Sequence, residues 1–141
     1  MNLDNNSLVI LKPDALKRHL VGVIIERFER RGFKIDALKM VNLSPEILSE
    51  HYANLQDRTD LYKEVESYML SGPVIIMSLS SPSQNTVNMV REMIGSTDPA
   101  QAKAGTIRGD FATAIEANLI HASDSRENAV REHAIHFGYQ K

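Results

Sequence analysis

A short apolar run, Ser7-Leu-Val-Ile-Leu11, stops at Lys12-Pro13, and a stripe at helical spacing, Val21, Ile24, Ile25 and Phe28, begins soon after. So short and apolar a run reads as a buried strand, and the i, i+3, i+4, i+7 pattern as one face of a helix. Strand and helix in such close succession limit the chain to folds in which a sheet and helices share a core. Gly32 ends the helix, and Phe33 to Leu43 alternates in part, which predicts a second strand. Ser44-Pro45-Glu46 is a helix start, with Ser at the N-cap and Pro at the first helical position. Leu48, His51, Tyr52 and Leu55 share one face of that helix, and a polar helix or loop covers about 57 to 70. Gly72-Pro73 turns the chain into a third strand, Val74 to Leu79; Val87, Val90 and Ile94 mark a helix closed by Gly95. Ser96 to about Ala117 reads as a loop, and Asn118 to His121 as a fourth strand. Asp124 with Glu127 makes a capping-box-like start to a last helix, which has Val130, His133, Ala134 and Phe137 on one face. This order fits an α+β fold: a four-stranded sheet with helices on one face, for which a ferredoxin-like βαββαβ plan is the closest simple match.

Bulk properties narrow the function. The chain has 141 residues, one domain's worth, and no Pro/Gly/Ser-rich linker, so a single domain is expected over 1–141. Net charge is −2, which argues against a dedicated nucleic-acid binder. The absence of cysteine excludes disulfides, thiolate metal sites and thiol catalysis, and fits a cytoplasmic protein. No apolar run is long enough to span a bilayer, and residues 1–11 lack signal-peptide order.

Neither GxxxxGK[ST] nor GxGxxG is present, so a phosphate site here has to use cationic side chains, hydroxyls and a metal ion. Lys12 ends the first strand, Arg91 edges the apolar stripe of its helix, Thr97 follows that helix, and Arg108 sits in the long loop. Each alone reads as a solvated polar group. His121 stands at a strand end before a helix start, a position that a rigid scaffold holds well, and imidazole is a competent phosphoryl acceptor. On spacing alone, a histidine bonded to its local turn is the plainer reading. His133 reads as a packed core histidine. With His136 it could form half of a metal site, but no third ligand is evident nearby. His19 and His51 read as surface and helix-face residues, and Arg27, Arg30, Arg31 and Lys34 as a solvated outer face.

The longer strings are more specific. Lys12-Pro13-Asp14, Ser71-Gly72-Pro73, Gly105-Thr-Ile-Arg-Gly-Asp-Phe111 and Asn118-Leu-Ile-His-Ala-Ser-Asp-Ser125 occur in one order. Together they closely resemble nucleoside diphosphate kinases, from about Ser7 to Phe137. The resemblance implies the ferredoxin-like core, a homo-oligomer (tetramer or hexamer), and ping-pong transfer of a γ-phosphate between nucleoside tri- and diphosphates. It implies Mg²⁺ carried on the nucleotide phosphates rather than held by the protein. His121 is then the phosphorylated nucleophile, Glu132 the carboxylate that orients it, and Tyr52 a neighbour of Lys12 and the histidine. Lys12, Arg58, Leu61, Arg91, Thr97, Arg108 and Asn118 form the nucleotide-binding set. The family has aromatic residues after Asp57-Arg58, one of which stacks on the base. Here the segment is Thr59-Asp60-Leu61-Tyr62, so either Leu61 or Tyr62 fills that place. His133 and His136 stand where the family tends to have an aliphatic residue and Trp.

Overall fold

Strand β1 (Ser7–Leu11) is buried along its whole length because both of its faces are covered. A computed structural model describes residues 3–138 of the chain; of the domain expected over 1–141, residues 1–2 and 139–141 lie outside the described part. β1 leads through α1 (Pro13–Lys17) and α2 (Val21–Arg31) to β2 (Lys34–Val41). Then come α3 (Pro45–His51), α4 (Thr59–Met69), β3 (Val74–Ser80) and α5 (Thr86–Ile94), followed by α6 (Ile107–Phe111), β4 (Ile120–Ala122) and α7 (Arg126–Phe137).

The sheet order is β2-β3-β1-β4 and every pairing is antiparallel. This is the ferredoxin-like arrangement, with β1 and β3 at the centre. Strand periodicity sends Val9 and Leu11 to one face, where they pack with Phe28 of α2 and with Val90 and Ile94 of α5. Leu8 and Ile10 go to the other, with Leu48 of α3, Met69 of α4 and Phe137 of α7. Helices therefore cover both faces, not one as the order of elements suggests. The unbroken burial of β1 is the local sign of this, since a strand exposed on one side alternates.

Several boundaries move for identifiable reasons. Ser44 caps α3 as expected, its Oγ accepting from the Ile47 N–H at 3.2 Å. The cap of α7 is Ser125, whose Oγ accepts from the Asn128 N–H, one residue after the expected Asp124. The 96–117 segment is not all loop. Thr106 caps α6, its Oγ1 accepting from the Gly109 N–H at 3.0 Å. Gly109 hides that helix from a propensity reading, yet it is required there: a Cβ would lie 1.9 Å from the Lys103 carbonyl oxygen. The polar 57–70 segment resolves into α4.

Candidate functional site

The end of β1, the end of α3, the start of α7 and the stretch from α5 to β4 meet around a cavity of about 560 Å³. That volume is within the range of small-molecule sites, roughly 300–1,000 Å³. His121 is the middle residue of β4, opposite Ile10 of β1, so the sheet fixes its backbone. Its Nε2 lies 3.2 Å from both carboxylate oxygens of Glu132 on α7. Its side chain keeps 21% of its surface exposed, against 6% for Glu132. Ser123 Oγ donates to Glu132 Oε1 at 2.7 Å. Burial pushes the Glu132 carboxyl up, but the hydrogen bond and charge of His121, the field of His51 and the Ser123 bond outweigh it and bring its pKa down to about 2. A charged carboxylate on Nε2 selects the tautomer with the proton there and leaves the lone pair on Nδ1.

Cations surround the other side. Lys12 Nζ donates to Asn118 Oδ1 at 2.8 Å, and Asn118 Nδ2 donates to the Thr97 carbonyl at 3.3 Å. Burial, then the nearby Arg108 charge, lower the Lys12 pKa to about 8. Arg108 is buried and donates to the carbonyls of Asn118, Gly95 and Ile120, at 3.3, 3.0 and 2.6 Å. Gly95, at φ +90°, closes α5 against Thr106, where a Cβ would meet Thr106 Oγ1 at 2.5 Å. Arg91 is exposed on α5 and reaches the Ala122 carbonyl at 3.4 Å. Tyr52 packs edge-on to His51, ring centroids 4.6 Å apart, and burial, helped by Glu132, raises its phenol pKa to about 12. The cavity thus brings together Lys12, Tyr52, Arg91, Thr97, Arg108, Asn118, His121 and Glu132. It does not reach Arg58, exposed at the N-cap of α4, or Leu61, exposed on α4.

The turn before His121 is strained. Leu119 is fully buried at φ +75°, and the Ile120 N–H donates to the Asn118 carbonyl at 2.9 Å, a positive-φ γ-turn. Such a conformation costs on the order of 1–3 kcal/mol and persists only where its surroundings fix it. Asp14 Oδ2 accepts from the Leu119 N–H at 3.1 Å and the Lys12 N–H donates to the Leu119 carbonyl at 2.8 Å. This turn is why β4 starts at Ile120 instead of Asn118.

His51, on the helix face it shares with Leu48 and Tyr52, is buried against the site. Its ring stands edge-on to His121, centroids 4.6 Å apart, and its Nδ1 is 2.9 Å from Nε2 of buried His136. His136 Nδ1 is buried with no hydrogen-bond partner among the described residues. His133 is the packed, satisfied histidine its spacing suggests, bonded to Ser78 Oγ and the Ala129 carbonyl. His133 and His136 thus have separate partners and do not form a joint metal site. Arg27 departs from a solvated face: it pairs with Asp110 at 2.6 Å and lies over the Phe111 ring.

Burial, then the His121 charge, lower the pKa of His51 to about 2 and that of His136 to about 4. Both stay neutral in the folded protein while the unfolded chain binds protons below about pH 6.5. The unfolded state then holds more protons, so stability is lost as pH falls from about 6.5 toward 4. The melting temperature should drop by at least about 5 °C between pH 7 and pH 5, read by calorimetry, at a few degrees per kcal/mol. His136→Phe should flatten that slope; an unchanged slope would show that the pair is not neutral in the fold.

A histidine backed by a carboxylate and faced by cations, on a ferredoxin-like sheet, has the chemistry of a phosphotransferase. The family model for nucleoside diphosphate kinase matches residues 5–141. A nucleoside diphosphate kinase of Streptococcus thermophilus is 47% identical over 133 residues, 92% of this chain and 95% of that protein. One from Methanocaldococcus jannaschii is 45% identical, covering 96% and 94%. The crystal structure of the apo enzyme from Encephalitozoon cuniculi superposes with a TM-score of 0.90 at 37% identity, covering 96% of this chain and 90% of that one. The chain belongs to the nucleoside diphosphate kinase family, enzymes that move the terminal phosphate of a nucleoside triphosphate to a diphosphate.

Proposed function

We propose that the transfer runs through His121 in two half-reactions, each an attack at phosphorus. Nδ1 forms the N–P bond as the bond to the β-phosphate oxygen breaks, and the diphosphate leaves with the electron pair. The proton on Nε2 stays on the ring. The Glu132 carboxylate, 3.2 Å away, offsets the positive charge that develops there, and this contact carries the reading. A second nucleoside diphosphate then attacks the phosphohistidine and takes the group. Phosphoryl transfer needs positioning and charge neutralisation more than covalent help. Lys12, Arg91 and the two or so N–H groups of Arg108 not engaged with carbonyls supply cationic donors. Asn118 positions Lys12, Thr97 offers a hydroxyl, and Tyr52, kept protonated, can donate its O–H.

Mg²⁺ fits as an ion brought in on the nucleotide phosphates. The exposed Asp124 carboxylate on the cavity wall supplies a hard oxygen of the kind it prefers. The ion would draw charge from the leaving oxygen. The reading includes one domain over 1–141, a cytoplasmic enzyme and a homo-oligomer, tetramer or hexamer. Among the described residues no helix is long and apolar enough to cross a membrane. Leu38 at 48% and Met40 at 64% exposure on the edge strand β2 favour self-association. The direct test is incubation with γ-labelled ATP and Mg²⁺: label should enter the protein and leave on addition of unlabelled diphosphate. A protein that stays unlabelled would overturn the route.

A base stacked on an aromatic ring gains roughly 1–3 kcal/mol. Leu61, 40% exposed on α4, lacks that ring. If Tyr62 supplies the stack, Tyr62→Ala should raise KM several-fold with kcat nearly unchanged, and Leu61→Ala should not, since uniform binding is lost. Steady-state kinetics of the two variants decide. An unchanged KM in both would mean that neither side chain touches the base.

A further inference from the structure

We propose that His51, His121 and Glu132 form a site for one borderline transition-metal ion, Zn²⁺ being the type, and that the bound ion silences the nucleophile. One ligand atom from each of the three residues lies within 4.8 Å of the others. Four-coordinate Zn²⁺, with bonds of about 2.0–2.1 Å, wants its ligand atoms roughly 3.4 Å apart. His121 Nε2 and the Glu132 oxygens, at 3.2 Å, already meet that spacing. Two imidazoles and a carboxylate are a Zn²⁺ ligand set, and the cavity leaves a fourth position for water. The outer contacts suit a metal too. Ser123 Oγ donates to Glu132 Oε1, and His51 Nδ1 faces His136 Nε2 at 2.9 Å. When His136 accepts the Nδ1 proton, the lone pair of His51 is left on Nε2. Such outer contacts typically change metal affinity 10- to 100-fold. Mg²⁺, which seeks six oxygens, does not compete for this set.

The consequence follows from proton bookkeeping on one ring. A metal on His121 Nε2 takes the lone pair there, so the ring proton moves to Nδ1, the nitrogen that must attack. Phosphorylation of Nδ1 leaves a proton on Nε2 that the Glu132 carboxylate, 3.2 Å away, holds, so a metal can bind there only by displacing it. Metal and phosphoryl group therefore oppose each other on this ring. The silencing rests on His121 being the nucleophile; the binding itself does not.

The test uses the full, nucleotide-free chain, with Zn²⁺ by calorimetry and Co²⁺ as an optical probe. One Zn²⁺ per chain and the intense visible bands of four-coordinate Co²⁺ are expected. His51→Asn and Glu132→Gln, each checked for folding by circular dichroism, should weaken binding at least about 10-fold. Chain that has first been phosphorylated should bind Zn²⁺ at least about 10-fold more weakly. No saturable binding, or unchanged affinity in both folded variants, overturns the site. Equal binding by the phosphorylated chain overturns the silencing. If no label enters the protein at all, the nucleophile reading fails while the calorimetry still reports on the site.

Discussion

With His121 replaced by alanine, γ-labelled ATP and Mg²⁺ should leave no acid-labile, alkali-stable label on the protein, and turnover should fall by at least about 10⁴-fold. Losses of that order accompany removal of a nucleophile whose partners have no substitute. No substitute is available here. The chain has no cysteine. His51 and His136 are buried and bonded to each other, His133 is bonded to Ser78 and to the Ala129 carbonyl, and His19 does not line the cavity. Label that persists in this variant would sink the assignment. Glu132→Gln refines the same argument. A glutamine amide can donate to Nε2, which puts the ring proton on Nδ1, and a wrong tautomer of this kind costs up to about 10⁴-fold in a Ser-His-Asp triad. The variant should therefore be slow in both half-reactions while its nucleotide affinity holds, because Glu132 touches the imidazole and not the phosphates.

The sheet was legible because its strands announce themselves: Ser7 to Leu11 and Val74 to Leu79 are apolar throughout and bounded by proline or glycine-proline. The ends of the elements near the site were less legible. Leu119 sits at positive φ, a conformation that no propensity assigns to leucine, and only Asp14 and Lys12, distant in sequence, hold it there. α6 is hidden by Gly109, which reads as a breaker until the Lys103 carbonyl is seen pressed against it. Resemblance supplied the cation set as residues, but not the way they are held. His51 looked like a helix-face residue because its partners, His121 and His136, lie 70 and 85 positions away in sequence. Its spacing with Leu48 and Tyr52 was the available signal, since that face proves to be the buried one. Arg131, which donates to the Glu50 and His51 carbonyls from the cavity wall, gave no signal at all beyond its charge.

Lys12 and Arg108 should separate charge from structure. From sequence, alanine at either position is expected to spare the fold and lower turnover by orders of magnitude. The structure keeps that expectation for Lys12 and changes it for Arg108. Lys12→Ala removes one ammonium and leaves Asn118 Oδ1 short of a donor. Turnover should fall about 10²- to 10³-fold, as for loss of a preorganised charge partner, with the melting temperature nearly unmoved. Arg108→Ala strips donors from three carbonyls, on Gly95, Asn118 and Ile120, that tie the end of α5 to the approach to β4; the Asn118 carbonyl keeps the Ile120 N–H, and the other two lose their Arg108 donor. Each buried acceptor left unpaired costs roughly 1–3 kcal/mol. That variant should lose a similar or larger factor in turnover and also melt at least about 5 °C lower. A pH profile isolates the charge of Lys12. Its pKa, lowered to about 8, should give kcat/KM an alkaline limb near pH 8, as the free enzyme loses the ammonium proton. Lys12→Arg, charged throughout that range, should lack the limb even where its absolute rate is low. A limb that survives the substitution would assign the titration to another group, and near-normal turnover in both alanine variants would move the phosphate site away from this cavity.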